Sequence, residues 1–195
     1  MRADGVKAVR VYLYNGASFD IQRYRGYSPE SIRQDRDYGT KCNRDVWVMR
    51  EFTNTKENHL GLPLPQGEVR FYRRDTDGQL EFTGENVIGH TPQGETVRVY
   101  SGNAFDLVGE RRRVDYTIDT SRNWLDESFE IKLRNRKEKE PVEIRVVENL
   151  YRGANWEITE KSNTFLKTDS QTMEFLVQVG PGEEKTLSYK VHYTW

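Results

Sequence analysis

Apolar and polar residues alternate strictly along much of this chain. At the C-terminal end Leu187, Tyr189, Val191, Tyr193 and Trp195 interleave with Ser188, Lys190, His192 and Thr194. Phe129, Ile131 and Leu133 do the same with Glu130, Lys132 and Arg134, as do Val142, Ile144 and Val146 with Glu143 and Arg145. Met173, Phe175, Val177 and Val179 repeat the scheme, and Val9, Val11 and Leu13 begin it. Successive side chains of a strand point to opposite faces, so this period puts one face of each strand in a core and the other in water. The same division explains why only 35% of the residues are apolar while the chain still folds.

Turn chemistry separates the runs. Asp75-Thr76-Asp77-Gly78 and Gly180-Pro181-Gly182 read as hairpin loops. Residues 134–141 read as a charged hairpin tip, with Pro141 at the start of a strand, where no ladder hydrogen bond is lost. Strands are expected near 113–119, 127–134, 142–149, 155–160, 163–167, 171–179 and 185–195, with further strands in residues 1–112. Helical periodicity is confined to a turn or two after Ser28, which can cap, with Pro29 at the first helical position. The expected fold is therefore all-β with less than about 10% helix. Its architecture is an antiparallel β-sandwich, read as two packed sandwiches, an N-terminal domain over 1–112 and an immunoglobulin-like one over 113–195, with one continuous β-structure as the alternative. The first carries a long irregular insertion at 15–43. Val142, Ile144, Val177, Leu187, Tyr189 and Val191 are expected to share one core.

Charge and composition exclude several classes. Lys and Arg total 30 against 31 Asp and Glu, so the basic excess that displaces phosphate counterions is missing and nucleic acid is not expected as a partner. No run approaches the apolar length that spans a bilayer, so membrane insertion of this segment is not expected. Met1 to Val6 is too polar for the apolar region of a secretory leader. Cys42 is the one cysteine and can form no internal disulfide. His59, His90 and His192 lack metal-ligand spacing, and Asp75-x-Asp77-Gly78 lacks the glutamate that completes a calcium loop. No nucleophile elbow or phosphate loop occurs, and neither catalytic residues, metal nor cofactor are expected. Arg111-Arg112-Arg113 reads as solvated or paired with acids on adjacent strands.

Several phrases occur together: Leu62-Pro63-Leu64-Pro65-Gln66-Gly67-Glu68-Val69-Arg70-Phe71-Tyr72, Ala104-Phe105-Asp106-Leu107-Val108-Gly109-Glu110-Arg111, Leu133-Arg134-Asn135-Arg136-Lys137 with Pro141-Val142, and Tyr189-Lys190-Val191-His192-Tyr193-Thr194-Trp195. Over roughly residues 45–195 the chain resembles a bacterial domain-of-unknown-function family that closes larger proteins, mucoidy-inhibitor-A-like proteins among them. The resemblance implies a β-rich fold, upstream domains in a parent protein, and an exported, periplasmic or cell-envelope setting. It carries no catalytic residues over to this chain.

One segment combines residue types favoured at interfaces. Tyr12, Tyr14, Phe19, Tyr24, Tyr27 and Tyr38 lie close together in the sequence, with Arg23, Arg25, Arg33 and Arg36 among them. Tyr and Arg are enriched where proteins meet, and exposed aromatic faces stack on sugar rings. Tyr12, Tyr14, Tyr24, Arg25, Tyr27 and Tyr38 are therefore the candidate binding residues. The alternative is that the segment covers the strand bearing Tyr12 and Tyr14. The leading expectation is a non-catalytic interaction or spacer module whose partner is a protein or an envelope polysaccharide. The others are a polysaccharide-binding module using residues 12–38, and an enzyme whose site assembles only in three dimensions.

Overall fold

The computed structural model describes residues 3, 5–19 and 22–195, so residues 1, 2 and 4 of the polar start and residues 20 and 21 of the 15–43 segment lie outside the described residues. Strand makes up 58% of the described residues and helix 3%, in large sheets dominated by antiparallel pairing. The elements are β1 (Val9–Tyr14), β2 (Ala17–Ser18), α1 (Pro29–Gln34), β3 (Lys41–Cys42), β4 (Asp45–Thr53), β5 (Gly67–Arg74) and β6 (Leu80–Ile88). They continue with β7 (Thr96–Asp119), β8 (Trp124–Asn135), β9 (Val142–Asn149), β10 (Asn155–Lys161), β11 (Leu166–Lys167), β12 (Thr172–Val179) and β13 (Glu184–Thr194).

The chain forms two compact units, Met1–Leu13 with Trp47–Ala104, and Tyr14–Val46 with Phe105–Trp195. The division expected at 112/113 is displaced for a physical reason. β7 runs through Arg112 and Arg113 because its residues Leu107 to Arg113, and beyond a register shift Asp115 to Asp119, are laddered to β8. The 15–43 segment groups with the C-terminal strands rather than with residues 1–112.

In the first unit β7, β4 and β1 are neighbours in that order. Asn54 is fully buried and holds the loops beside them: its amide donates to the carbonyls of Leu62 (2.8 Å) and Pro92 (2.9 Å), and its Oδ1 accepts from the Gly61 N–H (3.0 Å). The β5–β6 hairpin turns at Gly78, whose φ of +84° suits glycine.

In the second unit the strand orders are β10-β13-β8-β7 and β9-β12-β11. Alternation along β8, β9, β12 and β13 buries Leu125, Phe129, Ile131, Leu133, Val146, Met173, Phe175 and Val179 together with all six expected core residues. The Tyr189 ring stacks on Phe129 at 5.2 Å and meets Phe175 at 5.9 Å, so the two strand groups share this core. The strand expected at 163–167 shrinks to Leu166–Lys167, the two residues that pair with β12. β10 pairs with β13 through a register shift between Ile158 and Glu160, a β-bulge.

The facing of β13 is directly testable. Val191 is fully buried whereas Thr186 is exposed. Val191→Asp places an unpaired charge in the core and should cost several kcal/mol, whereas Thr186→Asp, which pairs across the ladder with Lys132, should leave the melting temperature within a few degrees. Thermal denaturation of the two variants checks this.

Candidate functional site

The 15–43 segment is held by charges buried in the second unit. Arg111 on β7, Glu127 on β8, Glu148 on β9 and Arg152 just after β9 are all less than 5% exposed. Strand alternation aims each of the first three inward, where a hydrocarbon side chain would be the ordinary choice. Arg111 Nε sits 2.9 and 3.1 Å from the two Glu148 oxygens, and Tyr189 donates its hydroxyl proton to Glu148 at 2.5 Å. Arg152 reaches Glu127 through Nη2 (2.9 Å) and Nε (3.3 Å), and Arg113 Nη1 donates to the same carboxylate at 3.1 Å.

Three guanidiniums thus face two carboxylates. Further donors of Arg111 and Arg152 go to main-chain carbonyls of the 15–43 segment, whose dipoles take up part of the excess positive charge, while Arg111 Nη2 is buried without a hydrogen-bond partner. Arg152 Nη1 donates to Ile32 (2.5 Å) and Asp35 (2.8 Å), and Nη2 to Tyr38 (3.1 Å). Arg111 Nη1 donates to the Gly39 carbonyl at 2.9 Å. Tyr116 and Tyr151 add their hydroxyl protons to the carbonyls of Arg33 (3.2 Å) and Gly39 (3.3 Å). These acceptors include the last carbonyls of α1, which have no partner within the helix and lie at the negative end of its dipole. At the other end of α1, Ser28 Oγ accepts from the Ser31 N–H at 3.1 Å, with Pro29 in the first turn, as the sequence leads one to expect.

Aromatic contacts complete the attachment. Phe19 and Tyr38 pack on Tyr151 at 4.8 and 5.3 Å, and Tyr24 stands edge-on to Tyr38 at 4.6 Å. Gly39 is buried at φ +71°, and a side chain there would run into the Tyr151 ring.

The network sets the ionisation of its members. Burial opposes the charge on Arg111, but Glu148, with Tyr189 and Tyr151 contributing, outweighs it and holds that guanidinium well above its ordinary value. Burial likewise opposes Arg152, and Glu127 reverses the effect. Burial pushes the Tyr151 phenol up to about 12 against the opposing pull of Arg111. Burial also raises Tyr14, Tyr189 and Tyr193, helped by Cys42, Glu148 and Glu127 respectively.

The candidate binding residues are divided by this arrangement. Tyr14 is fully buried and donates its hydroxyl proton to the Asn43 carbonyl at 2.8 Å, while its ring lies where a side chain at Gly109 would have to go. Tyr12 is 8% exposed. Both are buried in packing, unlike the exposed Arg25 and Tyr27. Tyr24 and Tyr38 are half-buried in the aromatic cluster. Arg25 and Tyr27 face solvent, Tyr27 with 49% of its surface exposed. A recess of about 240 Å³ opens between Ser18, Arg23, Tyr24, Asp37, Gly39, Thr40 and Lys41. Cys42 Sγ accepts from the Arg111 N–H at 3.1 Å. Within the arginine run, only Arg112 is solvated; Arg113 pairs with Glu127 on the adjacent strand, and Arg111 with Glu148.

Arg152, Tyr151, Glu127 and Glu148 escaped the sequence reading. Glu127 and Glu148 stand at inward positions of otherwise regular alternations, and that break in pattern is the available signal. Arg152 lies in a turn and gives none. Among the described residues, no group of His, Cys, Asp and Glu could hold a metal ion, and no helix is long and apolar enough to cross a membrane. Comparison with protein-family models, with curated proteins and with solved structures returns no match.

Two tests follow from this geometry. Arg152→Met leaves Glu127 short of its main partner and the carbonyls of Ile32, Asp35 and Tyr38 without a donor. A loss of about 3–5 kcal/mol is expected, with new protease cleavage within residues 22–40, read by denaturant titration and limited proteolysis. Alkali gives the second. An unfolded tyrosine ionises near its ordinary value of 10.0, whereas folded Tyr151 holds its proton to about 12. Over that window the unfolded chain binds fewer protons, so stability falls as pH rises. Tyr14, Tyr189 and Tyr193 extend the loss upward. Phenolate absorbance should therefore show these tyrosines ionising only together with unfolding.

Proposed function

We propose that this chain is a non-catalytic interaction module of a larger exported bacterial protein, with the clamped 15–43 segment as its contact surface. Its second unit is read as an immunoglobulin-like antiparallel sandwich, and its setting as the cell envelope. The buried Arg111 and Arg152 carry this reading. Two guanidiniums in the interior spend their donors on the backbone of a surface segment. A segment serving only to connect β1 and β4 would be short, since ordering each residue costs about 1–2 kcal/mol. Held this way, Arg25, Tyr27 and Arg36 are exposed on a pre-ordered backbone, and pre-ordering lowers the entropy lost on binding. The resemblance of residues 45–195 to a bacterial family that closes larger proteins, which implies an exported or envelope setting, supports this reading.

Site-directed photo-crosslinking in cells carrying the full-length parent tests the assignment. A photoreactive residue at Tyr27 should give a discrete protein adduct that the same residue at Thr186 does not. The adduct should disappear with Arg25→Glu and Arg36→Glu together while the melting temperature is unchanged. Equal adducts from both positions, or none from Tyr27, would rule out the 15–43 segment as the contact surface.

A further inference from the structure

At one end of the second unit, three adjacent strands present a row of polar side chains around fixed rings. Register places Glu157 of β10 opposite His192 of β13, and His192 opposite Asp126 of β8. One step further, Asn155, Thr194 and Trp124 stand in line. Directly paired residues share a face, so these six side chains lie on the side of the sheet away from the buried Leu125, Val191 and Tyr193. His192 Nδ1 is bound to Asp126 Oδ1 at 2.6 Å, and Lys190 Nζ lies 3.3 Å from the other Asp126 oxygen. That contact fixes the imidazole, and its ring lies 5.9 Å from the Trp124 indole at an interplanar angle of 31°. A recess of about 480 Å³ runs along this end, lined by Ala154, Asn155, Trp156, Glu157, His192 and Thr194. Trp156 pairs with Tyr193, so its indole lies on the opposite face, its N–H with the Ser170 carbonyl at 2.7 Å and its ring beneath Lys167 Nζ at 4.5 Å, and the indole takes no part in the recess.

We propose that this face, centred on Glu157, His192 and Trp124, binds a neutral saccharide chain. The amide of Asn155, the carboxylate of Glu157, the hydroxyl of Thr194 and the second ring nitrogen of His192 form a line of hydrogen-bonding groups. Such a line matches the closely spaced hydroxyls of a sugar, which act as both donor and acceptor. The indole of Trp124 and the imidazole beside it supply the apolar contact that the C–H face of a pyranose needs. The recess is open, whereas a pocket for a small molecule or cofactor encloses most of its ligand's surface. An open recess suits a chain that enters and leaves along the sheet. Charge selects within the class. Lys190 compensates Asp126, and Glu157 remains as an exposed carboxylate, which repels acidic polysaccharides. The site is separate from the 15–43 segment and does not depend on the interaction reading.

The test is a titration of the full chain with chitohexaose and with cellohexaose, both neutral, and with a hexamer of galacturonate. It is followed by calorimetry and by tryptophan fluorescence. At least one neutral hexamer should bind saturably. Trp124→Ala and Glu157→Ala should each weaken that binding by about tenfold or more. Asn155→Ala serves as a variant at an exposed position that should keep the fold while weakening binding. Arg25→Glu with Tyr27→Ala should leave saccharide binding unchanged. The proposal is overturned if neither neutral hexamer binds, if the galacturonate hexamer binds as well as the neutral ones, or if Glu157→Ala and Asn155→Ala bind undiminished at unchanged melting temperature.

Discussion

Everything distinctive about the second unit depends on charge placed where hydrocarbon would ordinarily stand. Glu127 and Glu148 break the alternation of β8 and β9, and each is tolerable only because a guanidinium meets it inside. An arginine presents more donors than one carboxylate can accept. Surplus N–H groups of both Arg111 and Arg152 therefore reach for oxygen elsewhere, although Arg111 Nη2 finds none. The 15–43 segment supplies that oxygen from its backbone. Replacing either pair by well-packed apolar residues can match the stability of the interior, but removes that arginine's bonds to the segment.

This dependence runs in both directions. The segment covers the interior charges from solvent, and the interior charges order the segment. Main-chain carbonyls do the accepting, so the attachment is indifferent to most side chains along residues 22–40. Arg25, Tyr27 and Arg36 are thereby free to be set by whatever they touch. The exceptions are Tyr24 and Tyr38, whose rings join the cluster on Tyr151, and Gly39, where its conformation and the Tyr151 ring leave no room for a side chain.

The sequence made the strands legible because period two is a local property. All six residues named as core from alternation are buried, and β8, β9, β12 and β13 fall within a few residues of their expected spans. Unit boundaries were less legible. Charge at Arg111-Arg112-Arg113 resembles a surface join, yet two of these three arginines face inward, which no local rule reveals. The site was the least legible part. Tyr14 looked available beside the other tyrosines, but its ring fills the space that Gly109 leaves empty. Arg152 sits in a turn far from the segment it anchors, 114 residues from Tyr38, and a contact at that separation has no signature in one sequence.

The bulge in β10 bears on how copies of this protein keep apart. β10 closes one side of its sheet and carries unpaired backbone groups along its outer margin. An incoming strand needs several consecutive groups in step to form a ladder. The shift between Ile158 and Glu160 breaks that sequence after Asn155–Ile158, and the exposed Glu157 and Glu160 put negative charge along the margin. A margin interrupted in this way is a poorer template for an added strand than a straight, uncharged one.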